Sequence, residues 1–206
     1  MKRRDKGIIL AIVIVFAVII SLYLDKILVK YVSFLRNAFL DNVFLAVTFI
    51  SSEAIIFLVL TSLFLFRDKK RRWIFPLWVT FGISAVVSFI LKVTIQRARP
   101  FQLGIVSLLP SLQEASQNIW NFSFPSSHTV FAFCAIPILS QQYPKLKNVW
   151  IGIAALIALS RVYLGLHFFS DVIAGGLIGY VIGMLIVKLE KEEKFGQKIY
   201  NKIMRR

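Results

Sequence analysis

Long apolar runs dominate this 206-residue chain and restrict what it can fold into. About 20 apolar residues span a bilayer as a helix. Inside lipid, only helices and closed barrels satisfy their own backbone groups. Six runs fit the helical alternative, at roughly 7–24, 43–66, 73–96, 128–141, 148–165 and 170–188. Hydrophobic residues make up 58% of the chain, above the roughly 45–50% of a soluble domain. The sequence therefore predicts an all-α fold, a six-transmembrane-helix bundle. It forms one domain over 1–206, without internal repeats. The first run follows a basic segment, Met1 to Lys6, as in a signal peptide. No small-x-small cleavage site follows it, so it is read as an uncleaved span.

The net charge of +15 would suit a nucleic-acid partner if it were spread over one face. Here the cations fall between apolar runs, which points to membrane topology and not to nucleic acid. Lys2, Arg3, Arg4 and Lys6, then Arg67 to Arg72, then Lys145 and Lys147, then the tail all fall on one side of six spans. The positive-inside rule makes that side, and both termini, cytoplasmic. Trp73 and Trp150 sit at the same ends as interfacial aromatics. The tail, 189–206, alternates Lys and Glu with Phe195, Ile199, Tyr200 and Ile203. It reads as an amphipathic surface helix or a solvated end. Residues 26–42 read as a short interfacial helix on the outer side. The single cysteine, Cys134, excludes an intramolecular disulfide and a Cys-based metal site, and reads as a packing residue.

Polar residues at the outer ends of the spans carry the chemistry. The stretch Ser160 to Asp171 holds Arg161, His167 and Asp171 in apolar surroundings. His167 and Asp171 are four apart, which puts both on one face of a helix. Lys92 and Arg99 are seven apart, two turns along one face, with Pro100 ending that helix. Arg97 faces elsewhere on this reading and serves as an interfacial anchor. Phe124-Pro125-Ser126-Ser127-His128 is a helix-start signal. A helix N-terminus there offers free N–H groups to a phosphate. Both histidines of the chain thus lie near one cationic cluster. The set suits nucleophilic phosphoryl transfer, with one His attacking phosphorus and the other protonating the leaving oxygen. No carboxylate cluster suggests a divalent metal. Glu53, in the middle of the second run, is left as an ionisable group needing a partner or a function.

Lys92-x6-Arg99-Pro100, Pro125-Ser126-Ser127-His128 and Ser160-Arg161-x5-His167-x3-Asp171 resemble the three signature motifs of the type 2 phosphatidic acid phosphatase (PAP2) family. Their order and the six-span layout resemble its membrane branch, and the motifs cover 92–171. The resemblance implies a PAP2/haloperoxidase-like bundle in the cell membrane, with its site on the extracytoplasmic face. It implies His167 as the nucleophile, held by Asp171, and His128 as general acid. It implies that Lys92, Arg99, Arg161, Ser126 and Ser127 bind phosphate; with no metal site evident in the residues, no cofactor or metal is expected. The second motif departs from the family's usual Pro-Ser-Gly-His: Ser127 replaces Gly, which would strain a position needing positive φ. The implied substrate is a lipid phosphate or pyrophosphate, within the lipid bilayer. A polyprenyl pyrophosphate such as undecaprenyl pyrophosphate is favoured over phosphatidylglycerol phosphate or phosphatidic acid. The apolar loop 101–124 is read as the head-group entrance. A non-catalytic lipid-phosphate binding or transport protein is the alternative of another class.

Overall fold

The computed structural model describes residues 20–113 and 122–204. Among them the regular structure is helical, with no strand. Helix α1 covers 20–33 of the described residues. It is followed by α2 (Ala38–Ile50), α3 (Glu53–Leu65), α4 (Ile74–Ile95), α5 (Ser127–Gln142), α6 (Lys147–Tyr163), α7 (Phe169–Glu193) and α8 (Phe195–Met204).

Helices α5 and α7 form the centre. Helix α5 buries Val130, Cys134 and Ile138 completely, and Cys134 is the packing residue expected of it. Three small residues on α7, Gly175, Gly179 and Gly183, repeat every fourth position and let the two backbones touch. A Cβ on Gly179 would stand 2.2 Å from the Val130 carbonyl oxygen, and one on Gly183 2.2 Å from that of Cys134. Small residues at such spacing are how membrane helices gain contact, because lipid gives apolar side chains no reason to associate. Around this pair, exposed Phe39, Ile50, Leu58, Val86, Phe89 and Leu185 form an apolar exterior. The protein is an integral membrane protein.

Among the described residues, three helical stretches are long and apolar enough to cross a membrane: Lys70–Ile95, Pro144–Tyr163 and Phe169–Glu193. The second run, 43–66, is broken in two. Helices α2 and α3 bend by 62° at Ser51 and Ser52. Ser51 Oγ donates to the Thr48 carbonyl, and Ser52 Oγ caps α3 by accepting from Ile55 N–H. Two serines thus satisfy the backbone groups freed by the break. Helix α5 has 16 residues and is sheltered by its neighbours. The first expected span lies outside the described residues over 7–19. Helix α1 runs on to residue 33, beyond the expected end at 24. The interfacial helix expected over 26–42 is therefore replaced by the end of α1, a turn, and the start of α2.

The tail is docked. Helix α7 ends at Glu193, Lys194 takes the left-handed conformation, and α8 turns back. Glu190 caps α8 by accepting from Gly196 N–H at 2.7 Å and Gln197 N–H at 3.3 Å. A Cβ on Gly196 would meet the Arg72 carbonyl oxygen at 2.6 Å, so only glycine allows this approach. Arg72 Nη1 also donates to Gln197 Oε1.

Candidate active site

Three chain segments converge at one end of the α5–α7 pair. The first follows α4. That helix stops at Ile95, and Gln96 is left-handed with φ 49°. Arg97 and Arg99 therefore lie on a loop, where helical spacing no longer decides what each one faces. The second is the segment 122–126 entering α5. The third is the loop 164–168 between α6 and α7. Backbone bonds join all three. Ser123 N–H donates to the Arg97 carbonyl, Ser126 N–H to the Asp171 carbonyl, and His167 N–H to the Arg161 carbonyl.

His167 is 2% exposed, and its ring geometry fixes its proton. Nδ1 lies 2.7 Å from the Ser123 carbonyl oxygen. A carbonyl only accepts, so Nδ1 carries the hydrogen. Nε2 is left with its lone pair, and Arg99 Nη1 donates toward it at 3.2 Å. Burial, then Arg99, Arg161 and Lys92, hold His167 well below the usual imidazole range, so it stays neutral. A neutral imidazole whose Nε2 is unprotonated is a nucleophile once the Arg99 hydrogen bond to that nitrogen gives way to substrate.

Asp171 was expected to hold this ring from the same helical face. Helix α7 begins only at Phe169, so His167 precedes it. Asp171 stands in the first turn, with Oδ2 3.7 Å from His167 Nδ1. Its hydrogen bonds go elsewhere. Oδ2 accepts from Phe168 N–H at 2.8 Å and from Ser123 Oγ at 2.5 Å, and Oδ1 accepts from Arg97 Nη1 at 2.7 Å. Ser123 links the two by bonding Asp171 with its hydroxyl and His167 with its carbonyl. Asp171 thus acts on the ring chiefly through Ser123.

Arg97 is the clear correction. It is not an interfacial anchor. Its fork bridges two buried carboxylates, with Nη1 to Asp171 and Nη2 to Asp25 at 2.7 Å each, and it covers the Phe168 ring. Asp25 in turn accepts from Ser170 N–H at 3.0 Å and from the Ser170 hydroxyl. Breaking a buried pair by removing one partner costs about 3–5 kcal/mol. Arg97→Met is therefore expected to lower the thermal midpoint in detergent sharply. Asp25→Asn is expected to lower it less, because the amide oxygen still accepts from Ser170 N–H. Equal midpoints for Arg97→Met and wild type in a scattering-based melt would refute this.

The remaining cations gather around both histidines. Lys92 Nζ donates to the Phe122 carbonyl at 2.8 Å. Arg99 donates to the Leu166 carbonyl at 2.9 Å, and burial lowers its pKa to about 10, which leaves it cationic at neutral pH. Arg161 is 7% exposed, has Thr48 Oγ1 at 3.3 Å, and carries a buried Nε without a hydrogen-bond partner. Lys92, Arg99 and Arg161 all act electrostatically on His128 and on His167. Such convergence suits a bound phosphoryl group.

His128 is the second residue of α5, and its Nδ1 lies 4.0 Å from Glu53 Oε1. Ser127 opens α5 and is not among the residues with positive φ, so it carries no backbone strain. Ser126 is fully buried, and its hydroxyl accepts from Thr129. The structure thus brings together Lys92, Arg99, Arg161, His128, His167 and Asp171, with Ser126 and Ser127 at the helix start between them. Sequence reading missed Asp25, Ser123, Ser170 and the role of Arg97. An Asp closing the first apolar run was the available signal for Asp25.

Comparison with known proteins bears on the family and the fold. The chain is 28% identical over 188 residues to phosphatidylglycerophosphatase B of Bacillus subtilis, covering 84% of this chain and 87% of that one. It is 31% identical over 138 residues to an undecaprenyl-diphosphatase of Sulfolobus acidocaldarius, covering 66% and 64%. Its fold matches the crystal structure of the transmembrane PAP2 type phosphatidylglycerolphosphate phosphatase from Bacillus subtilis with a TM-score of 0.68 at 24% identity, over 89% of this chain and 97% of that one. The PAP2 superfamily profile matches residues 73–195, more than half of the sequence and all three motifs, and the chain belongs to that superfamily, in its membrane lipid phosphatase branch.

Proposed function

We propose that the protein hydrolyses a lipid phosphate through a phosphohistidine on His167, and that its substrate is a polyprenyl pyrophosphate of the undecaprenyl type. The observation that carries the reaction is the His167 ring, with Nδ1–H committed to the Ser123 carbonyl and an unprotonated Nε2 that faces Arg99, with Lys92 and Arg161 acting on the ring. Nε2 attacks phosphorus while Lys92, Arg99, Arg161 and the N-terminus of α5 hold the phosphoryl oxygens. His128 protonates the leaving oxygen and then activates water to release phosphate.

A lipid substrate is supported by an apolar cavity of about 330 Å³ between α2, α3, α5 and α6. It runs from Val47 and Ser51 at the break in α2–α3 to Leu139 and Trp150 at the far end of α5. Three fixed cations suit the extra charge of a pyrophosphate. The second reading, phosphatidylglycerol phosphate, is favoured by the 84% of this chain that aligns with phosphatidylglycerophosphatase B.

The test is phosphate release by purified protein in detergent from undecaprenyl pyrophosphate, phosphatidylglycerol phosphate and phosphatidic acid. The pyrophosphate is expected to give the highest kcat/KM, and vanadate to inhibit. A higher value on phosphatidylglycerol phosphate would replace the first substrate by the second. Binding of all three lipids without release would leave a non-catalytic protein.

The proposed topology has six spans, with both termini in the cytoplasm and the site facing outward. Support comes from the charges. Lys70, Arg71, Arg72, Lys145, Lys147 and Lys191 lie on segments at the end of the bundle away from His128 and His167. A fluorescent protein that matures only in the cytoplasm, fused after Arg206, is expected to fluoresce. A dark fusion would reverse the orientation.

A further inference from the structure

Glu53 has no part in the proposed reaction as described so far. It is the first residue of α3, at the 62° break with α2. Its carboxylate lies 4.0 Å from His128 Nδ1 and also interacts with Lys92, Arg161 and the Ser127 side chain. A carboxylate beside a phosphate site repels the substrate, so its presence calls for a compensating role. The ring it faces supplies one.

We infer that Glu53 is a positioning residue for His128, and that it sets how poor a leaving group the protein can expel. The inference rests on His128 being the general acid. Glu53 holds Nδ1 toward α3, which turns Nε2, on the opposite edge of the ring, toward the leaving oxygen. The gap of 4.0 Å is longer than a hydrogen bond and becomes an ion pair only when His128 carries its proton; a small rotation of the Glu53 side chain closes it.

Among the described residues, the charged and titratable groups that act on His128 come from α3, α4, α6 and the loops after α4 and α6. They are Glu53 from α3, Lys92 from α4, Arg99 from the loop after it, Arg161 from α6 and His167 from the α6–α7 loop. Three of these are cations, and each opposes a proton on the ring. Glu53 is the counter-charge.

In the first step the Nε2 lone pair of His167 forms the P–N bond. The P–O bond to the lipid breaks, its electron pair stays on the lipid oxygen, and that oxygen takes the proton from His128 Nε2. In the second step water attacks phosphorus and His128 takes its proton. The P–N bond breaks, its pair returns to His167, and phosphate leaves.

Proton donation matters in proportion to the basicity of the leaving oxygen. An alkoxide leaving from a phosphomonoester needs it. A phosphate leaving from a pyrophosphate, with a pKa of about 6, needs it little.

The experiment compares wild type, Glu53→Gln, Glu53→Asp and His128→Ala. Phosphatidic acid is the demanding substrate. Undecaprenyl pyrophosphate and 4-nitrophenyl phosphate are the undemanding ones. For Glu53→Gln, kcat on phosphatidic acid is expected to fall about 10- to 100-fold, a part of the 10²–10⁴ that a general acid supplies. On the other two it falls about threefold or less. The alkaline limb of the phosphatidic acid profile moves to lower pH, and Glu53→Asp restores part of the loss. A uniform loss on all substrates with an unmoved pH profile would make Glu53 a structural residue and overturn the inference. So would full activity of Glu53→Gln on phosphatidic acid. If His128→Ala shows no preference for undemanding substrates, the general-acid assignment falls and this inference falls with it. A wild type inactive on all three substrates would instead remove the proposed function itself.

Discussion

His167→Ala is expected to abolish turnover, by about 10⁴-fold or more, and to leave no phosphorylated protein. Wild type quenched during turnover of a 32P-labelled lipid is expected to carry label that acid releases and base does not. The His167→Ala variant carries none. Alanine also strips the Ser123 carbonyl of its donor, and a buried acceptor left alone costs about 1–3 kcal/mol. His167→Asn, which keeps an N–H for that carbonyl, separates the two effects. This second variant is expected to recover stability without recovering the phosphoprotein. Lys92, Arg99 and Arg161 remain in both variants, so inorganic vanadate is expected to bind each more weakly than wild type, but measurably. Turnover within tenfold of wild type, or label on the His167→Ala variant, would remove His167 from the reaction.

Gly179→Ala is the second large effect, and it acts through backbone. The new Cβ would stand 2.2 Å from the Val130 carbonyl oxygen and 3.0 Å from the Cys134 nitrogen. Neither atom is the movable end of a side chain. Helix α7 must shift away from α5, and overpacking of this kind costs about 1–3 kcal/mol or more. The shift also parts His128, at the start of α5, from the α6–α7 loop that presents His167. Gly176→Ala is the control. Its Cβ meets only the Phe133 ring, at 3.5 Å, an ordinary contact. The expected result is a lower thermal midpoint and lost phosphatase activity for Gly179→Ala, with both near wild type for Gly176→Ala. Equal behaviour of the two variants would show that the α5–α7 approach does not position the site.

The histidines and most cations could be found in the sequence because they interrupt apolar runs, where a charge has few reasons to be. The helices were legible for the same reason. Arg97 was misplaced because the spacing argument assumed a helix up to Pro100, whereas left-handed Gln96 ends it and swings Arg97 inward. His167 and Asp171 were paired by helical spacing, yet they meet at the entry to α7, with Ser123 between them. Ser123 could not be foreseen, since half of its contribution is a backbone carbonyl. The break at Ser51 and Ser52 was hidden because serines inside an apolar run are as compatible with a continuous helix as with a cap. Asp25 needed knowledge of which chain segments meet 72 and 145 residues later.

Those separations bear on how the protein is made. Asp25 is inserted first and meets Arg97 only after 72 more residues, and Ser170 after 145. A carboxylate with no partner near the bilayer is costly, which favours the aqueous edge for it in the early chain. The arrival of Arg97 and then of the start of α7 lets it become buried. The nascent chain therefore has no organised catalytic centre until the start of α7 is in place.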